Sequence, residues 1–223
     1  RRAQVLQGQC DPLQLLFPEG DFTTAGALYQ DSPAARNTNS LLQKAVLETL
    51  ARLPRNRTLR ILEIGAGTGG TTSFILPDLP PDQTEYVFTD ISPLFIAQAQ
   101  EKFAPYSFIR YQLLDIEQPP SAQGFHSEQF DLILAANVLH ATRDLSQTLQ
   151  HVRQLSAPGA LLLLLEGTAP VRFVDLIFGL TDGWWRFTDL NLRPSHPLIP
   201  APRWQRLLLD HGFKQPVTLS SSD

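Results

Sequence analysis

The 223-residue chain has no methionine, a single cysteine (Cys10), and fewer basic residues than acidic ones, 18 against 22. One cysteine excludes an intrachain disulfide and a cysteine-based zinc site. A formal net charge of -4 argues against a dedicated nucleic-acid surface, which needs a basic stripe. Arg1-Arg2 and the basic stretch from Arg52 to Arg60 therefore read as solvated faces. Long apolar runs are missing too. The most apolar one, residues 160–165, is far too short to span a bilayer and suits a central strand, and no secretory segment is visible. A soluble protein of the reducing cytoplasm is expected, with neither nucleic acid nor membrane as partner. The first residue is not methionine and the chain stops in a polar Ser-Ser-Ser-Asp tail at 220–223. Both are expected of a piece of a longer polypeptide.

A chain of this length can bury one substantial core. Residues 1–38 are punctuated by Pro12, Pro18, Gly20, Gly26 and Pro33 and read as a partial N-terminal lid or linker. The core is expected over 39–219 and a linker over 220–223. An amphipathic helix is legible from Ser40, with Leu41, Leu42, Ala45, Val46, Leu50 and Leu53 on one face and Pro54 as its stop. Strands are then expected at 59–64, 85–90, 107–113, 130–136 and 160–165. Helices interleave from about Thr71, over 93–103 and over 145–156, the last two capped by Ser92-Pro93 and Asp144. This alternation predicts a doubly wound, mainly parallel α/β sheet. Residues 168–200 break the rhythm with Phe173, Phe178, Trp184, Trp185 and Phe187, an aromatic lid or pocket wall, or rings that simply pack a helix on the sheet. A helix over 202–211 and a strand over 213–219 follow.

The first strand runs into Glu63-Ile64-Gly65-Ala66-Gly67-Thr68-Gly69-Gly70. Glycines after a buried strand let the backbone approach a nucleotide-like ligand with no Cβ in the way. Two patterns fit the same letters. Gly65, Gly67 and Gly70 match the dinucleotide G-x-G-x-x-G, while Glu63, Gly65, Gly67 and Gly69 match the E-x-G-x-G-x-G of S-adenosylmethionine methyltransferases. In open α/β sheets ligands lie beyond the carboxyl ends of the strands, so the later strand ends matter. Asp90 ends the second strand, where its carboxylate can accept from a ribose diol. Asp115 follows the third and can accept from an exocyclic adenine amine, with Leu114 and Ile116 sandwiching the ring. The fourth ends toward Asn137 and His140, and the fifth at Glu166. Neighbouring parallel strands lie about 4.8 Å apart, so His140 and Glu166 can meet, and a carboxylate that orients an imidazole makes a general base.

The chain resembles the C-methyltransferase domains of modular type I polyketide synthases, bacterial and particularly cyanobacterial. The matching strings are LYQDSP at 28–33, ILEIGAGTGGTT at 61–72, FTDIS at 88–92, AANVLHAT at 135–142, the run at 161–166, GLTDGWWRF at 179–187 and LRP at 192–194. The resemblance covers about residues 28–213. It implies a Rossmann-like class I methyltransferase that uses S-adenosylmethionine (SAM) to methylate the α-carbon of a β-ketoacyl chain. That chain is held through phosphopantetheine on an acyl carrier protein, beside neighbouring synthase domains. It also implies His140 as base and Glu166 as its orienting partner. Glu63, Gly65, Gly67, Gly69, Asp90, Ile91, Leu114, Asp115 and Ile116 would hold the cofactor, Asn137 would lie near its amino-acid end or the substrate enol, and Tyr29 would act from the lid. Trp184 and Trp185 would shape the acyl tunnel, and no metal is implied. Two departures stand out. The lid region is shorter than the family's, and no segment after Leu219 supplies the sheet's usual last antiparallel strand. Competing readings are a nicotinamide-dependent reductase, which lacks a Tyr-x-x-x-Lys pair here, an O- or N-methylating domain, and a non-catalytic spacer.

Overall fold

The computed structural model describes residues 4–5, 7, 9–11, 27–52 and 57–219. Most of the expected lid, the helix stop at Pro54 and the 220–223 tail lie outside them. Five strands, β1 (Leu59–Ile64), β2 (Thr84–Asp90), β3 (Ile109–Leu113), β4 (Phe130–Ala136) and β5 (Ser156–Leu165), form one sheet in the order β3-β2-β1-β4-β5. Every pairing is parallel. Helices α1 (Pro33–Arg52), α2 (Gly70–Ile75), α3 (Pro93–Lys102), α4 (Leu145–Leu155), α5 (Arg172–Phe178) and α6 (Ala201–Asp210) complete the described elements used below.

Central strands bury both faces, which is why they read as mostly apolar runs, interrupted by Arg60 and Glu63 in β1 and by Asp131 in β4. On β1, Leu62 and Ile64 pack with α4 and α6 through Leu149, Val152 and Trp204. Leu59 and Ile61 point the other way, into a second cluster with Val46 of α1, Ile75 of α2 and Phe88 of β2. Residues i and i+2 share a face in a strand, so Glu63 points into that second cluster and is 1% exposed.

Helix starts follow local chemistry. Asp144 accepts from the Gln147 N–H at 3.0 Å and caps α4 as expected. α1 begins at Pro33, seven residues before the expected Ser40, because Ser32 caps it, accepting from the Ala35 N–H at 3.2 Å, with Pro33 first in the helix. A boundary between residues 38 and 39 therefore falls inside one helix. β5 likewise starts at Ser156 rather than 160, carrying Pro158 and Gly159 through an irregularity opposite Phe130–Leu132.

The strand expected over 213–219 does not form. Pro216 removes a ladder donor, Gln215 has a φ of 52°, and Val217 and Leu219 stand 80% and 59% exposed. Phe213 alone packs against the core. Among the described residues nothing pairs with the outer edge of β5, as expected of a sheet without its last antiparallel strand.

Candidate active site

The loop from β1 to α2 turns on three glycines with positive φ, Gly65 (59°), Gly67 (55°) and Gly69 (71°). At Gly67 a Cβ would meet nothing within 4 Å, so the bare backbone faces open space. Gly70 has another task. A Cβ there would lie 2.8 Å from the Tyr29 carbonyl oxygen, so its absence lets the segment before α1 close on the loop. The glycines that turn the loop are thus the set 65, 67 and 69, and Gly70 serves packing. Lys102 ties the same parts together, donating to the Thr68 carbonyl at 3.1 Å and to Gln30 Oε1 at 3.0 Å.

Beyond the carboxyl ends of β1, β2 and β4 lies a cavity of about 390 Å³, within the usual range for small-molecule sites. Tyr29, Glu63, Gly65, Gly67, Asp90, Ile91, Leu114, Asp115, Ile116 and Asn137 line it; Gly69, His140 and Glu166 do not. Asp90 spans the loop, Oδ2 accepting from the Gly67 N–H at 2.9 Å and Oδ1 from the Ser92 N–H at 2.8 Å. Burial raises its pKa, and those backbone N–H groups oppose the rise. Ser92, expected to cap α3 with its hydroxyl, makes no side-chain cap bond; its N–H on Asp90 does the local work. Asp115 Oδ1 accepts from the Glu117 N–H at 3.0 Å. Leu114 and Ile116 are buried in the core and reach the cavity from there, while Ile91 stands 61% exposed at it.

Glu63 lies deepest. Its Oε2 accepts from Thr72 Oγ1 and from the Tyr86 hydroxyl, both at 2.6 Å. Burial pushes its carboxyl up to about 7, against the pull of those two hydroxyls. Tyr29, half-buried, has a phenol raised by burial and so kept neutral, and its ring sits 6.3 Å from Phe178.

His140 and Glu166 meet. Ala136 of β4 pairs with Leu165 of β5, and Asn137 donates its N–H to the Leu165 carbonyl at 2.7 Å. Asn137 has a φ of 53°, a left-handed conformation asparagine tolerates, and this turns the chain back over Glu166. Glu166 Oε1 then accepts from the N–H groups of Val138 (3.2 Å), Leu139 (2.7 Å) and His140 (3.4 Å), while Oε2 meets His140 Nδ1 at 2.5 Å. With the proton on Nδ1, Nε2 carries the lone pair and has no hydrogen-bond partner among the described residues. Trp184 packs edge-on to the imidazole at 5.3 Å between ring centres, its Nε1 donating to Asp175 Oδ1 at 3.2 Å.

Comparison with known proteins points to methyl transfer. A methyltransferase-domain model matches residues 62–162. The solved CurJ carbon methyltransferase is 57% identical with a TM-score of 0.95, covering 97% of this chain and 58% of its own. The chain is similar to carbon methyltransferase domains. The trans-methyltransferase CalH, solved with S-adenosylhomocysteine (SAH), is 36% identical with a TM-score of 0.77, covering 94% of this chain and 57% of its own. Non-reducing polyketide synthase mapC of Penicillium roqueforti is 38% identical over 96% of this chain, and polyketide synthase ThaQ of Burkholderia thailandensis 39% over 96%. The chain spans 9% and 11% of those two synthases.

Several residues of the site escaped the sequence reading. Phe95 and Arg186 line the cavity, and Glu117 joins them, paired with Arg186. Arg193 is wholly buried beneath the His140 turn. Its only sequence signal was a place in the LRP string, which assigns no role. His196 packs on Trp184 and Trp185, but its Nδ1 accepts from the Leu198 N–H at 3.1 Å and its Nε2 faces Asp175 at 3.0 Å. With both nitrogens occupied it is part of the wall and not a second base.

Proposed function

We propose that this domain uses SAM to methylate the α-carbon of a β-ketoacyl chain tethered by phosphopantetheine to an acyl carrier protein, as a cytoplasmic unit of a polyketide synthase working beside its neighbouring domains. The observation that carries this reading is the His140–Glu166 pair, 2.5 Å apart at Nδ1, which leaves Nε2 as a base at the end of β4.

The cavity fits the cofactor. Gly67 offers a backbone cradle open for at least 4 Å around a notional Cβ. Asp90 and Asp115 stand at the successive strand ends where a ribose diol and an adenine amine need acceptors, and Ile91, Leu114 and Ile116 give the ring apolar surface. Glu63, with Asn137, would hold the amino-acid end. Bound there, SAM supplies a sulfonium-activated methyl group.

The chain's own residues do the rest. A proton between two carbonyls is acidic, and His140 Nε2 takes it, leaving an enolate on the substrate. Glu166 accepts the Nδ1–H throughout, holds the ring's orientation and offsets the charge the ring gains. Three backbone N–H groups on Oε1 keep that carboxylate from swinging away. The aromatic wall of Trp184, Phe178 and Tyr29, drawn from 168–200 and from the segment before α1, excludes water beside the base and borders the acyl chain.

To test this, the domain is incubated with SAM carrying an isotopic methyl and a β-ketoacyl carrier protein, and the label is located by mass spectrometry. The methyl is expected on the α-carbon. A methyl on oxygen would make it an O-methyltransferase, and no transfer with SAM bound would make it a structural domain.

A further inference from the structure

The carbonyls of the turn carrying His140 are held from a downstream segment, chiefly by two arginines, with the Thr188 N–H also donating to that of Arg143 at 2.8 Å. Arg193 Nη1 donates to the His140 carbonyl at 2.8 Å, and its Nη2 to those of Thr142 (2.8 Å) and Arg143 (3.0 Å). Arg186 Nε donates to the carbonyl between them, Ala141, at 3.1 Å. Four consecutive carbonyls, 140–143, thus accept from guanidinium groups of one downstream segment.

Each guanidinium is itself fixed. Arg193 is 0% exposed, its Nε donates to Asp189 Oδ1 at 2.6 Å, and the Phe187 ring lies 5.2 Å below it. Asp189 uses its other oxygen on the Leu145 N–H at 3.0 Å, anchoring the pair to the first turn of α4. Arg186 pairs with Glu117, whose Oε1 also accepts from the Arg143 N–H at 2.5 Å. Burying a guanidinium is costly even when paired, and a packed apolar replacement is often as stable. Fold stability is therefore a weak reason for this arrangement. A planar fork that meets several acceptors at fixed angles supplies geometry instead.

We propose that Arg193, with Arg186 on the cavity side, is a positioning residue for methyl transfer. The two arginines clamp the 140–143 turn and so set where His140 Nε2 stands relative to the cavity. The inference rests on the reading of His140 as the base. Arg193 does not line the cavity and acts only through the turn.

The test compares wild type, His140→Ala, Arg193→Lys and Arg186→Gln, with kcat at saturating SAM, KM for the acyl carrier substrate and SAM affinity measured well below each melting point. Lysine keeps the charge but cannot reach three carbonyls. Arg193→Lys is expected to lower kcat by roughly 100-fold, the scale of a 1 Å misplacement, with KM and SAM Kd within about threefold. The His140 Nδ1–H signal in a ¹⁵N-histidine spectrum should shift. A role confined to stability would lower the melting point and leave kcat of the folded protein and that signal unchanged. A folded Arg193→Lys with kcat within twofold of wild type overturns the clamp. If that variant does not fold, half-exposed Arg186 decides by the same thresholds. Full activity of His140→Ala would instead sink the underlying reading.

Discussion

Replacing Glu63 by glutamine should change how stability depends on pH. In the unfolded chain this carboxyl titrates near its ordinary value of 4.5; in the fold, burial pushes it up to about 7. Between those values the native state holds a proton the unfolded state has released, so stability falls as pH rises through the window and levels off above it. At 1.36 kcal/mol per unit the loss amounts to about 3 kcal/mol. Glutamine keeps the acceptor for Thr72 and Tyr86 but cannot ionise. Urea unfolding of wild type and Glu63→Gln from pH 4.5 to 8.5, expressed as the difference between them, cancels all other titrations. That difference should move by about 3 kcal/mol in favour of glutamine between the two ends of the range. A flat difference profile would show that Glu63 titrates in the fold as it does in the unfolded chain, and would refute the burial argument.

Gly67→Ala places a Cβ at a φ of 55° with nothing within 4 Å; a loss of about 1–2 kcal/mol in thermal or urea unfolding is expected from the left-handed backbone. Calorimetry should show SAM affinity falling at least tenfold, because the new methyl occupies the cradle. Glu166→Gln presents an amide N–H where Nδ1–H must donate, which forces the proton to Nε2 and removes the base. A rate loss of roughly 10²–10⁴-fold is expected in a single-turnover assay, with SAM affinity unchanged because Glu166 does not line the cavity.

Much of this was legible from the chain because local chemistry and global fold agree. The mostly apolar runs of β1 and β4 read as strands buried on both faces, and their alternation with helices predicted parallel pairing. His140 and Glu166 were reachable because parallel register brings the ends of β4 and β5 side by side. The glycine ambiguity was not resolvable from the loop's letters alone, since Gly69 is set apart by a φ of 71° and Gly70 by its contact with the Tyr29 carbonyl. Arg193 was hidden for a similar reason. Its partners are backbone carbonyls about 50 positions earlier, and carbonyls leave no trace in a sequence pattern. The expected strand at 213–219 failed where apolar letters outweighed Pro216, and α1 began early because the Ser32-Pro33 cap was passed over while the same signal at Ser92-Pro93 was used.

The account stands on His140 as the base that takes the α-proton. The most direct test is single-turnover methyl transfer by His140→Ala, with SAM affinity measured on the same sample. A rate lowered by roughly 10²–10⁴-fold with SAM Kd within threefold of wild type is the predicted result; transfer at the wild-type rate would contradict it.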